Sequence, residues 1–343
     1  MSYVPELRDG PPWIMEEMVA AQPALARELL DSPPGAVADV AAAVRAAFEA
    51  GLPVTVVGCG TSEHGAMAVA AQLDRAHGGG WPPAAVAQQS LDAAERPQQG
   101  GVCIGISHDG GTRATQLALE AASAGGATTA LVTAVGSASA DHVLVTPVHD
   151  DSWCHTIGYV SPILVGAALA RELRIEGVDG AGAAALLEAP GEVSLPVAAR
   201  VIVAGAGLDL ITARELGLKV AEGARIPTAA FQLETLLHGH LAGEDSSTAA
   251  AVVQTDAGAG RVARRAALAA AALGEIGISV VEIGPPPFEG LDSALARLLW
   301  GAVSLQRLTL SLAAARGVNP DLIRREEEPW RRAGDVAEGG GDW

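Results

Sequence analysis

The stretch VVGCGTSEHG, Val56 to Gly65, decides how the rest of the chain is read. A β-branched run ends in two glycines, and the hydroxyl pair Thr61 and Ser62 opens a helical pattern. This is a strand-to-helix corner, the place where open parallel sheets hold ligands against free helix N–H groups. A dinucleotide fingerprint would need GxGxxG and an acidic residue closing the next strand. Here Gly65 comes two positions late, and the next strand-like run, Val102 to Ser107, closes on serine. A nicotinamide or flavin cofactor is therefore not expected.

The second corner, SHDGGT from Ser107 to Thr112, again sets hydroxyls beside glycine directly before a helical run. Ser62, Ser107 and Thr112, with nearby backbone amides, can wrap an anion without any lysine or arginine. The competing reading is that each hydroxyl merely caps its helix. Two such corners at corresponding strand ends favour a shared anion site.

Further along, short β-rich runs alternate with longer helical patterns, which implies parallel sheets covered by helices. The runs begin near residues 54, 102, 128 and 142, then near 200, 249 and 278. Val54 and Val201 open matching strands 147 residues apart, and Thr128 and Ile278 are 150 apart. The expected fold is α/β, with two tandem αβα sandwich domains related by duplication, each a parallel sheet flanked by helices. An N-terminal helical arm would occupy residues 1–35, the first domain 36–188, the second 189–316 and a tail 317–343, with the closing AEGGGDW mobile. The second-half corners, GAGLDL and QTDAGAG, have lost most hydroxyls, so one anion site is expected, in the first half.

Composition narrows the function. Over 343 residues the net charge is −18, which argues against a nucleic-acid partner. No stretch reads as a targeting segment or a membrane span, and the short Ala-rich run near 266–273 is flanked by Arg264 and Arg265. The three cysteines, Cys59, Cys103 and Cys154, show no CxxC spacing and read as reduced thiols. A cytoplasmic protein is expected.

The motifs GCGTS and S-x-x-G-x-T resemble the sugar isomerase (SIS) domain family. The match extends to the isomerase half of the glutamine:fructose-6-phosphate amidotransferases. The arm MEEMVAAQP, from Met15, and the segment LGLKVAEGARIPTAAFQLETLLHGHLAG are similar to that family's corresponding segments, and the likeness runs from about residue 15 to 330. The resemblance implies sugar-phosphate loops at Cys59, Gly60, Thr61 and Ser62, and at Ser107, His108, Asp109 and Thr112. It implies Glu222 as the base moving a proton between C1 and C2, with Lys219 as its neighbour. It places His238 on a ring-opening histidine donated by the partner subunit of a homodimer, and His155 near a sugar-contacting serine. No cofactor or metal is implied.

Three departures stand out. Asp109 replaces a serine, and an anion there would repel a phosphate. CHTIG replaces the A-S-T-K-A turn. Glu328 falls where the family carries a Schiff-base lysine, and the tail has no lysine. No glutaminase domain accompanies the pair, so ammonia channelling is not expected.

Without the resemblance, Glu215, Lys219 and Glu222 read as an exposed ion-pair ladder on a helix. The HGH at His238 and His240, near Glu244 and Asp245, lacks the spacing of a metal site. His64 and His155 are pocket candidates, with packing the alternative for each. RREEEPWRR reads as a self-paired charge cluster; alternatively it covers the pocket and lends it Arg324, Arg325 or Arg331. The expected activity is aldose–ketose isomerisation of an anionic sugar through an enediol. An amino-sugar-phosphate deaminase or fructosamine-phosphate deglycase is second, and a non-catalytic sugar-phosphate sensor third.

Overall fold

Two parallel sheets organise the chain in the computed structural model, which describes residues 4–338 except 137, 138, 192, 259 and 288. The AEGGGDW tail lies, from residue 339 onward, outside these. In the first sheet the strands are β1 (Val54–Gly58), β2 (Ala85–Gln89), β3 (Val102–Ile106), β4 (Thr128–Thr133) and β5 (His142–Val145), in spatial order β2-β1-β3-β4-β5. The second holds β6 (Arg200–Gly205), β7 (Thr228–Gln232), β8 (Thr248–Val253) and β9 (Ser279–Ile283), in order β7-β6-β8-β9. The orders correspond strand for strand until the first sheet adds β5, which fits a duplication.

Strands β1, β3 and β8 are buried at every position, as their unbroken apolar runs require of central strands covered on both faces. Side chains alternate between layers. Val56 and Ile104 join a core that continues through Val201, Val203 and Ala251 of the second sheet, while Val57 and Cys103 face outward under helices. Helix α6 (Ile157–Glu172), apolar on all sides, is buried from Ile157 to Ala170 and packs against α3 (Thr61–Ala76). The long α11 (Ser293–Arg316) is apolar enough and long enough to cross a membrane, but most of it is buried against the rest of the fold.

The two corners that begin each half have the same geometry. A Cβ on Gly58 would lie 2.3 Å from the Ser62 carbonyl oxygen, and one on Gly205 would lie 2.5 Å from that of Asp209. Gly60 and Gly207, both at φ +58°, then turn the chain into α3 and α8 (Leu208–Lys219).

The arm and the tail are joined chiefly at Asp321, with Asn319 also donating to the Arg8 carbonyl at 3.2 Å. Asp321 accepts the N–H groups of Ile14 and Met15, at 2.9 and 2.8 Å, at the start of α1 (Ile14–Asp31). It also accepts the Ser152 hydroxyl at 2.9 Å.

Candidate functional site

Helix α8 does not end as an α-helix. Its last turn widens into a π-helical turn, Val220–Ala224, closed by Arg225 in the left-handed region at φ +55°. Such one-turn widenings are frequent at functional sites, and this one carries Glu222.

The expected surface ladder of Glu215, Lys219 and Glu222 is overturned. Lys219 and Glu215 are completely buried, because the corner before α3 packs on this face of α8. The Lys219 ammonium donates to the Glu222 carboxylate at 2.6 Å and to the Thr61 hydroxyl at 2.8 Å, and lies 3.5 Å from Glu215. The ammonium thus makes two hydrogen bonds and one looser ion pair. Burial alone would depress the Lys219 pKa, but the carboxylates of Glu215 and Glu222 more than offset it and hold the ammonium above the ordinary lysine range. Glu222 is the member of this cluster that reaches solvent, at 23% side-chain exposure.

Nor do the corner hydroxyls cap their helices. Thr61 is spent between Glu215 and Lys219, and Thr112, although it precedes α5 (Arg113–Ala124), makes no side-chain cap bond. Instead the Ser107 hydroxyl donates to Thr112 Oγ1 at 3.1 Å. Ser62 and Cys59 stand half-buried at the first corner, and the Gln89 amide reaches Cys59 Sγ at 3.7 Å.

At the second corner three imidazoles gather. The His108 ring lies 4.7 Å from that of His149 and 5.1 Å from that of His155. His108 Nε2 accepts the Asp150 N–H at 2.8 Å, so the neutral ring carries its proton on Nδ1. Burial, reinforced by His155, pushes the His108 pKa down to about 4 against the opposing pull of Asp150. Asp150, fully buried, accepts the N–H groups of Thr156 at 2.6 Å and Gly158 at 3.0 Å and shapes the CHTIG turn.

Asp109, expected to repel a phosphate, has a partner of its own in the structure. It is half-exposed, and its charge is met by His149 Nε2 at 2.9 Å, whose other nitrogen lies 3.0 Å from Asp151. Ligand atoms of His108, Asp109 and His149 lie within 4.8 Å of one another. The donor set does not suit a cation: the His108 lone pair is taken by a backbone N–H, and His149 lies between two carboxylates.

His238 is not brought to Glu222. It is exposed, beyond α9 (Leu233–Leu237), with Nε2 3.1 Å from Glu234. The tail also departs from the pocket-charging alternative. Arg324 lies over the Trp330 ring at 3.3 Å and pairs with Glu327, while Arg331 pairs with Glu328. Arg325 sits 5.2 Å from the centre of the Trp153 ring. Arg225, at the end of the π-helical turn, contacts Glu326 and donates to Glu327 at 2.9 Å, tying the tail to the segment that carries Glu222.

Sequence reasoning missed Glu215 and Asp150 as site-forming groups, and it named His64 only as a pocket candidate without its contact to Glu215. The i,i+4 spacing of Glu215 and Lys219 was visible, but its burial depends on packing against α3, which local sequence does not encode. The second-half corner faces a different environment. Gly207, Leu208 and Ile211 line a cleft of about 650 Å³ against Met67, Arg75 and Gln89, without the lysine–carboxylate cluster.

No protein-family profile and no curated protein matches the sequence. Solved structures do match. The C-terminal domain of glucosamine-fructose-6-phosphate aminotransferase from Francisella tularensis aligns over 92% of this chain and 99% of its own, at TM-score 0.72 and 15% identity. Tagatose-6-phosphate ketose/aldose isomerase from Escherichia coli aligns over 93% and 98%, at 0.69 and 17%. Glucosamine-6-phosphate deaminase from Thermotoga maritima aligns over 90% and 96%, at 0.64 and 16%. These are SIS-domain proteins, and the fold of this chain is theirs.

Proposed function

We propose that the chain is an aldose–ketose isomerase acting on a phosphorylated or otherwise anionic sugar, with Glu222 as its base. The observation that carries this reading is the placing of Glu222. It is a partly exposed carboxylate on a π-helical turn, held at 2.6 Å by a buried ammonium that also binds the first corner. The fold supports it, since tagatose-6-phosphate ketose/aldose isomerase shares it.

In this reading the Glu222 carboxylate takes the proton from the carbon beside the carbonyl, leaving an enediolate. The hydroxyl proton passes between the two substrate oxygens and the resulting acid returns its proton to the neighbouring carbon, so carbonyl and hydroxyl exchange places with no net redox change. Lys219 acts through Glu222 rather than on the sugar oxygens, because it is wholly buried and its ammonium is engaged by Glu222, Thr61 and the nearby Glu215. Ser62, with Ser107, His108 and Thr112 at the second corner and His155 beside them, holds the anionic end. The His108 Nδ1–H is a neutral donor suited to that task. Ring opening falls to His238 of a second copy in a homodimer with shared sites.

A deaminase is the second reading, supported by the glucosamine-6-phosphate deaminase that shares the fold. Screening sugar phosphates by thermal shift, followed by NMR in D₂O with ammonia detection, separates the two. Isomerisation exchanges a carbon-bound proton without releasing nitrogen.

A further inference from the structure

His64, one turn into α3, takes no part in the reaction as written above. Its Nδ1 lies 2.6 Å from Glu215 Oε2, and its side chain is 12% exposed. The other Glu215 oxygen faces the Thr61 hydroxyl at 3.3 Å and the Lys219 ammonium at 3.5 Å. A continuous path therefore runs imidazole, carboxylate, ammonium, carboxylate, from His64 through Glu215 and Lys219 to Glu222. The other ionisable groups around it are the buried Cys154, just before α6, Tyr159 in the first turn of α6, and Asp150. Burial raises the pKa of both the Cys154 thiol and the Tyr159 phenol, so neither competes as an anion.

We propose that His64 is a positioning residue for Glu222. By donating its Nδ1–H to Glu215, it leaves Lys219 free to direct one proton at Glu222. The inference rests on the reading of Glu222 as the base.

The argument is one of donor supply. A wholly buried carboxylate needs its donors, and losing one is costly. Glu215 has two hydrogen-bond donors, His64 at 2.6 Å and Thr61 at 3.3 Å, and Lys219, one turn along the same helix, stands by as an ion pair at 3.5 Å. Removing the imidazole donor draws Lys219 toward Glu215. Every increment of that shift loosens the contact from Lys219 to Glu222. Glu222 then binds a proton more readily and is a poorer base at neutral pH.

Two variants separate this from a packing role. His64→Leu keeps apolar bulk and removes the donor. His64→Asn places an amide N–H where Nδ1 stands and has no ionisation of its own in this range. With a sugar phosphate that the unmodified protein turns over, His64→Leu should lower kcat about tenfold, leave KM within about twofold, and move the acid limb of the profile up by about one pH unit. His64→Asn should restore both. The Glu222 side-chain carboxyl, followed by carbon-13 NMR titration, should move in the same direction without substrate.

An Asn variant as impaired as the Leu variant would overturn the proposal, as would a Leu variant with an unmoved Glu222 titration. If the Leu variant does not fold, His64→Ala, which also removes the donor, takes its place. If no sugar phosphate is turned over, the proposed function falls, while the carbon-13 titration still decides the role of His64.

Discussion

Lys219 and Thr61 join the two halves of the chain: the ammonium lies 2.8 Å from the threonine hydroxyl, and the lysine side chain is wholly shielded from water. The same ammonium neutralises Glu215, which is equally buried. Lys219→Met leaves that carboxylate uncompensated and should cost about 3–5 kcal/mol in urea unfolding. Adding Glu215→Leu should recover much of the loss. A single variant within about 1 kcal/mol of the unmodified protein would contradict the network.

His108 sets an acid limit on stability. Its folded pKa is about 4 and the unfolded ring titrates near 6.5, so below pH 6.5 the unfolded chain takes up a proton that the folded one refuses. Stability should fall as pH drops through that window, by at most roughly 3 kcal/mol. His149 works in the opposite sense: its raised folded pKa adds stability on the acid side, which is lost as pH rises through that pKa. The contribution of His108 is therefore read as the difference in slope between the unmodified protein and His108→Gln.

The paired corners make a symmetric prediction. Gly58→Ala and Gly205→Ala each push a methyl group onto the carbonyl of their own helix's first turn. Each should destabilise by about 3 kcal/mol or abolish folding, through overpacking that the backbone cannot relax. Thermal melts of the two variants give the comparison, and a neutral effect at either site contradicts the corner geometry.

Asp321 should behave as a helix cap supplied from the far end of the sequence. Asp321→Ala removes the acceptor for two α1 N–H groups and the Ser152 hydroxyl, and should cost about 2 kcal/mol. Asp321→Asn keeps one acceptor oxygen and should cost less. Hydrogen exchange at Ile14 and Met15 should report the loss directly.

The sequence made the central strands legible and two of the edge strands, β2 and β7, obscure, for a physical reason. Strands such as β1 and β8 are covered on both faces and read as continuous apolar runs. Strands β2 and β7, AVAQQ and TAAFQ, are half-exposed edges rich in alanine and glutamine, and they carry little β signal. Each ends in a glutamine, Gln89 or Gln232, whose side chain caps the helix that follows. At the site, residue types and spacing marked the two corners, and the family resemblance marked Glu222. Burial of Glu215 and Lys219, the pairing of Asp109 with His149, and the His64 contact arise from packing between segments some 40 to 160 residues apart and had no local signature.

The central claim is that Glu222 moves a carbon-bound proton. Its most direct test is deuterium incorporation from D₂O into a bound sugar phosphate, followed by NMR for the unmodified protein and for Glu222→Gln. The account predicts incorporation beside the carbonyl by the unmodified protein, a loss of about 10²–10⁴-fold in the variant, and a ligand-induced thermal shift retained by both. Incorporation by Glu222→Gln at the unmodified rate would contradict it.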